Sequence, residues 1–293
     1  MASIHPKEKF PKPGRDEHPQ QYPGVEANMQ TRPEFGEISY KGSGRLTGKN
    51  ALVTGGDSGI GRAVAVAFAK EGADVAIGYL PEEEEDARRT RAIIEATGRT
   101  CSLFPGDLRN SSYRDSLIPR VSEIFGGSLD ILVNNAAIQR YFKDIQDIRA
   151  ADFEEIYLVN VVAAFVLSQQ AVKVMKPGAS IINTVSIQAY DPSSILLPYA
   201  SSKGAFVALT KGLAEQLLDK GIRVNAVAPG PIWSPLNTHG SPVEKMKQFG
   251  EQSAFGRPGQ PVELSPVYVL LASDEASYIT GEIYGVTGGE GIA

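Results

Sequence analysis

Cysteine is almost absent from this sequence: Cys101 stands alone among 293 residues. A single thiol excludes an intrachain disulfide and suits a reducing compartment. Histidine is nearly as scarce. His5, His18 and His239 are scattered along the chain, so no histidine-rich metal site is expected. Positive charge is not in excess either. The formal net charge is −5, and no basic footprint invites nucleic acid. No apolar run reaches the length of a membrane span. The N-terminus lacks the charged-then-apolar layout of a secretory signal. The expectation is a cytoplasmic protein without nucleic-acid or membrane partners. What the chain does have is apolar content, 42% hydrophobic, enough to fill the core of one large α/β unit.

Residues 1–46 differ from the rest. They carry six prolines (Pro6, Pro11, Pro13, Pro19, Pro23 and Pro33) and no helical or strand period. Such a segment cannot order by burying its own apolar surface. Two states remain open. One is a disordered arm. The other is an extended arm laid along the body or a neighbouring subunit, anchored by Phe10, Tyr22, Phe35 and Tyr40. Residues 47–293 read as one domain in which strands and helices alternate. Strands are expected over 50–54, 74–79, 100–105, 129–134, 180–185, 223–228 and 282–286. The helices between them include a long one over 151–175 and another over 199–219. Regular alternation implies a seven-stranded parallel sheet with helices on both faces, a doubly wound α/β fold. Its ligand site then lies at the carboxyl ends of the strands.

Two stretches carry chemistry. The first is Thr54 to Gly61, reading TGGDSGIG, directly after the first strand and opening a helix. Gly55, Gly59 and Gly61, with Asp57, Ser58 and Ile60 between them, let the backbone turn tightly and approach a pyrophosphate at the helix N-terminus. A glycine turn alone is a common strand-to-helix connection; the strand–turn–helix context raises it above that. The second stretch runs from Ser186 to Lys203. Tyr199 and Lys203 are four residues apart, one turn on the same helix face. A phenol, an ammonium and the Ser186 hydroxyl converging on one point suit general acid/base work on an alcohol or carbonyl oxygen. A lysine beside the phenol is expected to lower its pKa from about 10. A Tyr-x-x-x-Lys pair alone is common on helix surfaces; the spacing of Ser186 and the upstream turn decide the reading.

Together these motifs resemble the short-chain dehydrogenase/reductase family over roughly residues 47–293. The resemblance implies a Rossmann fold, an NAD(P) cofactor and hydride transfer to or from a small aldehyde, ketone or alcohol. It implies Asn160, Ser186, Tyr199 and Lys203 as the catalytic set, with Asn160 holding a water that links Lys203 to solvent. It also implies cofactor contacts at Asp107 and Leu108, at Asn135 and Ala136, at Pro229, Gly230 and Ile232, and again at Tyr199 and Lys203. The adenosine end is ambiguous. An acid ending the second strand would select NAD; Tyr79, Leu80 and Pro81 stand there instead, and nothing in them repels a 2′-phosphate. Arg62 and Arg88 are the basic candidates for that phosphate. The balance leans to NADP and leaves NAD open. Residues 231–258 resemble a substrate lid, in which His239 reads as a solvated loop residue. Gln188, Tyr190, Ile138 and Gln139 are expected to complete the pocket. Relatives commonly form homotetramers through the two long helices and the C-terminal segment. The proline-rich arm is similar to that of stress oxidoreductases, aldehyde reductases and glucose/ribitol-dehydrogenase-like proteins. A polyol dehydrogenase working oxidatively, or a silent nucleotide-binding regulator, remains as an alternative.

Overall fold

The computed structural model describes residues 4–12 and 17–292; residues 1–3, 13–16 and 293, Pro13 of the arm among them, lie outside the described residues. Seven short apolar runs become strands: β1 Asn50–Thr54, β2 Asp74–Tyr79, β3 Cys101–Pro105, β4 Ile131–Asn134, β5 Ser180–Thr184, β6 Arg223–Pro229 and β7 Ile283–Val286. Among the described residues they form one parallel sheet in the order β3-β2-β1-β4-β5-β6-β7. Parallel pairing needs crossovers, and helices supply them: α1 Gly59–Lys70, α2 Glu84–Glu95, α3 Ser111–Ile124, α4 Ala150–Tyr157, α5 Ala164–Ala171, α6 Leu197–Gln216, α7 Pro235–Thr238, α8 Val243–Lys247 and α9 Ser265–Ala272.

Side chains alternate along each strand, so the sheet feeds two cores. Val53, Ile77, Val133 and Ile182 pack with Phe68 and Tyr268 on one face. Leu52, Ala76, Leu132 and Ile181 pack with Leu117 and Leu167 on the other. The chain winds outward from β1 in one direction and from β4 in the other. Their adjacent carboxyl ends therefore splay apart and leave a crevice.

One expectation needs correction. The long helix over 151–175 is not continuous. It is α4, then a π-helical stretch Leu158–Ala163, then α5, which ends at Ala171. The widened turns contain Asn160, whose amide is bonded outside the helix (below); π turns of this kind gather at functional positions. Of the two states left open for the arm, its described residues show the extended one, laid along the body. Phe35 is buried in the first core, where Tyr40 also packs. The Tyr40 hydroxyl donates to Glu71 at 2.6 Å. Lys70 caps the arm carbonyls of Gly36, Glu37 and Tyr40 at 2.9, 2.6 and 3.1 Å. No helix of the described residues is long and apolar enough to cross a membrane.

Close approach of α1 to β1 rests on Gly61. A Cβ there would meet the Gly55 carbonyl oxygen at 1.8 Å and Asn135 Nδ2 at 2.7 Å. Backbone cannot yield as a flexible side chain can. Gly61→Ala is expected to cost about 1–3 kcal/mol of stability, measured as the shift of the urea midpoint.

Candidate active site

The crevice is held at the seam between β1 and β4. Thr54 Oγ1 accepts the backbone N–H groups of Asn135 at 3.0 Å and Ala136 at 3.1 Å. Asn135 Nδ2 donates back to the carbonyls of Thr54 at 3.0 Å and Gly55 at 3.2 Å. The glycine turn follows. Gly55 and Gly59 have φ of +63° and +49°, a region that side chains with a Cβ rarely enter. Above the turn lies a cavity of about 150 Å³. Gly55, Asp57, Ser58, Gly59 and Ile60 form one wall, Tyr79, Leu80, Asp107 and Leu108 another, with Asn135 and Ala136 at the floor. Gly61 does not line it; its role is the packing just described. The residues fit a dinucleotide. The turn is glycine cleared, it opens a helix N-terminus, and buried Asp57 has Oδ2 without a hydrogen-bond partner.

The adenosine end departs from the expectation. Neither arginine proposed for a 2′-phosphate is free. Arg62 is fully buried, ion-paired to Glu26 and Asp86 and bonded to Thr90 and the Asp57 carbonyl. Arg88 is exposed and bonded to Glu84 at 2.7 Å. The cavity is lined by three carboxyls, Asp57, Glu83 and Asp107, and by no lysine or arginine. The wall around Tyr79 to Pro81 thus offers a 2′-phosphate no free cation among the described residues, and Asp107 is itself paired with Arg109 at 2.6 Å. Burial pushes both Asp57 and Glu83 up, each raised further by neighbouring acids.

A second cavity of about 430 Å³ adjoins the first across Ile60, Asn135, Ala137, Ser234 and Leu236. Ser186, Tyr199 and Lys203 all line it, as do Pro229, Gly230 and Ile232. Sheet and helix deliver them together. Ser186 follows the end of β5, while Tyr199 and Lys203 lie in the first turns of α6. The Lys203 ammonium donates to the Thr184 carbonyl at 2.7 Å and stands 5.5 Å from the centroid of the Tyr199 ring. Both side chains are buried, and burial decides their titration. It pushes the Tyr199 phenol up to about 12, with the Ser186 hydrogen bond pulling the other way. It draws the Lys203 amine down to about 7. The expectation that Lys203 lowers the Tyr199 pKa is therefore not met in this structure. A lysine that sheds its own proton near neutrality gives the phenolate little support.

Asn160 lines neither cavity. Its Oδ1 accepts Ile138 N–H at 2.8 Å, and its Nδ2 donates to the Ile138 carbonyl at 3.0 Å and Ser202 Oγ at 3.0 Å. Ser202 Oγ donates in turn to the Tyr199 carbonyl at 2.6 Å. The amide side chain thus ties the Ile138 backbone to the turn that carries Tyr199. Gln139 and Gln188 line the second cavity and Ile138 the first. Tyr190 instead packs against the small apolar cluster of Val185 and Phe206. His239 is not a solvated loop residue. It lines the first cavity, its ring meets Tyr22 edge-on at 5.1 Å, and both nitrogens are enclosed without partners. Sequence reasoning missed Tyr22, Pro23 and Gly24 as a roof; of the acidic run after Pro81, Glu83 reaches the wall. The 231–258 segment covers the second cavity through Leu236, Asn237, Lys245 and Phe249.

Comparison with known proteins agrees with this geometry. A family model described as enoyl-(acyl carrier protein) reductase matches residues 55–290. The uncharacterized oxidoreductase YghA of Escherichia coli is 50% identical, over 98% of this chain and 94% of its own. The chloroplastic NADPH-dependent aldehyde reductase 1 of Arabidopsis thaliana is 44% identical, over 91% of this chain and 94% of its own. A short-chain dehydrogenase from Burkholderia cenocepacia, solved with NADP, superposes with a TM-score of 0.77 at 35% identity, covering 84% of this chain and 98% of that one.

The buried amine has a consequence for stability. Between about 7 and its ordinary value of 10.5, Lys203 binds fewer protons folded than unfolded. Its contribution to stability is therefore largest above 10.5, falls as the pH drops through that interval and is fully lost below about 7. Denaturation midpoints of the dinucleotide-free protein taken across this range should show that slope, and Lys203→Met should remove it.

Proposed function

The chain belongs to the short-chain dehydrogenase/reductase family of oxidoreductases, and on that premise we propose that it reduces a small aldehyde or ketone to the alcohol with Tyr199 as general acid. The observation that carries the proposal is the convergence of Ser186, Tyr199 and Lys203 on one cavity beside the glycine-lined crevice. When bound, the nicotinamide supplies or accepts the hydride. The chain's own residues do the rest. Ser186 holds the carbonyl oxygen. Tyr199, a neutral phenol at physiological pH with its pKa near 12, gives its proton to that oxygen. Lys203, poised near 7, returns a proton to the phenol. Asn160 is a positioning residue that fixes the turn carrying Tyr199 through Ser202. A phenol held protonated favours the reductive direction over polyol oxidation, because donation needs the acid form.

NADP and NAD both stand as the dinucleotide. The NADPH-dependent relative and the NADP-bound neighbour support NADP. The carboxyls at the adenosine end support the free 2′-hydroxyl of NAD. A homotetramer built through the α4–α5 helices is supported by Phe153, Val162 and Phe165, apolar side chains left exposed along that pair. Cys101, a free and buried thiol, suits a cytoplasmic protein.

The test is a panel of aldehydes and ketones run with NADPH and NADH, following loss of reduced-nicotinamide absorbance. Tyr199→Phe should lose about 10²–10⁴-fold in turnover while binding dinucleotide as the parent does. Retention of most turnover would remove Tyr199 from the role of acid, and silence of the parent across the panel would favour the regulator. Leu80→Arg, which adds a cation to a wall that has none, should lower the KM for NADPH roughly tenfold, the worth of one charge-assisted hydrogen bond, and leave that for NADH nearly unchanged.

A further inference from the structure

The N-terminal arm reaches the dinucleotide crevice. Downstream of residue 25 it is fastened firmly. Glu26 is fully buried; its Oε2 accepts the Gly59 N–H at 3.0 Å, and its carboxylate pairs with Arg62. The Glu26 N–H donates to Asp86 Oδ2 at 2.7 Å. Trp233 Nε1 donates to the Thr31 carbonyl at 2.7 Å. The arm is thus pinned to the first turn of α1, the turn that faces the crevice.

Residues 20–24 run across the crevice mouth between that anchor and the upstream contacts of Glu17 with the Gln30 N–H at 3.0 Å and of Arg257 with the Pro6 carbonyl at 2.8 Å. Gln20 forms an isolated parallel bridge with His239. Its N–H donates to the Thr238 carbonyl at 3.0 Å, and Gly240 N–H donates to the Gln20 carbonyl at 3.3 Å. Gly24 lies so close to the lid that a Cβ would meet the Pro235 oxygen at 2.5 Å. Tyr22, Pro23 and Gly24 line the same cavity as the glycine turn. At the seam, Nε2 of Gln20 and both ring nitrogens of His239 are enclosed and unpartnered. Enclosed polar atoms of this kind cost stability unless a partner arrives.

We propose that residues 20–24 are a strap closing over the dinucleotide, with Glu26 as its fixed buckle, so that entry and release require the Gln20–His239 seam to part. The inference rests on the crevice being the dinucleotide site. The strap is closed by two backbone hydrogen bonds, the Gly24 contact and the packing of Tyr22 against His239 and the Ile138–Ile156–Val159 cluster, and it holds no ion pair of its own, so it opens by local unfolding. It is anchored firmly enough at Glu26 to return to the same place.

The experiment is stopped-flow displacement of NADH and of NADPH from the full-length protein, together with hydrogen exchange at the Gln20 and Gly240 amides. Adding either dinucleotide should slow exchange at both amides. Gly24→Val, which wedges the strap from Pro235, and Tyr22→Ala, which removes the roof without crowding, should each speed release roughly tenfold, as expected when the closed state falls from dominant to minor. Should Gly24→Val fail to fold, Tyr22→Ala and the exchange measurement on the parent still decide. Unchanged release and unchanged exchange in a protein that binds NADH would overturn the strap and leave the proposed function standing. A parent that binds neither dinucleotide would overturn both.

Discussion

The hydrogen bonds that tie the end of β1 to the end of β4 organise everything else in this molecule. Four of them join Thr54 and Gly55 to Asn135 and Ala136 across the point where the winding of the sheet reverses. They fix where the glycine turn begins and how far α1 stands from β4. Asn135 then reaches the next strand, where Thr184 Oγ1 donates to its Oδ1 at 3.4 Å. The Thr184 carbonyl in turn receives the Lys203 ammonium. Nucleotide crevice and acid/base cavity are thus two ends of one chain of contacts, Thr54–Asn135–Thr184–Lys203.

Burial sets the chemistry at the far end of that chain. Both Tyr199 and Lys203 are buried, and each is driven toward its neutral form. A neutral phenol is a competent proton donor, and a neutral amine a ready proton acceptor from solvent. At the near end, burial acts on carboxyls instead. Among the described residues Asp57 and Glu83 face a cavity without a cation, while Arg62 is consumed by Glu26 and Asp86 and Arg109 by Asp107 and Glu155. Affinity for the adenosine end therefore rests on backbone and glycine clearance more than on charge.

Much of this was legible in the sequence. Strand runs such as NALVT and DVAIGY are short, apolar and bounded by turn residues, so their alternation with helices gave the sheet directly. The glycine turn and the Ser186–Tyr199–Lys203 spacing are local patterns, and they came together where expected. What escaped was non-local. Arg62 looks like a free cation in sequence because its partner Glu26 lies far upstream, in a segment with no period. His239 looks solvated because Tyr22, which covers it, belongs to that same segment. Asn160 sits in a helical stripe, and only the Ile138 backbone reveals that its amide is already satisfied. The Lys203 pKa could not be read from a four-residue spacing, because desolvation depends on what surrounds the pair.

The most direct test of this account uses the single tryptophan. Trp233 is buried between Ile232 and Ser234, two residues that line the cavities. Titrating NADH should quench Trp233 emission and bring up sensitised nicotinamide fluorescence in the parent, whereas Thr54→Val, which removes the hydroxyl locking β1 to β4, should bind far more weakly. Equal quenching in both proteins, or none in the parent, would contradict the dependence of the site on that seam.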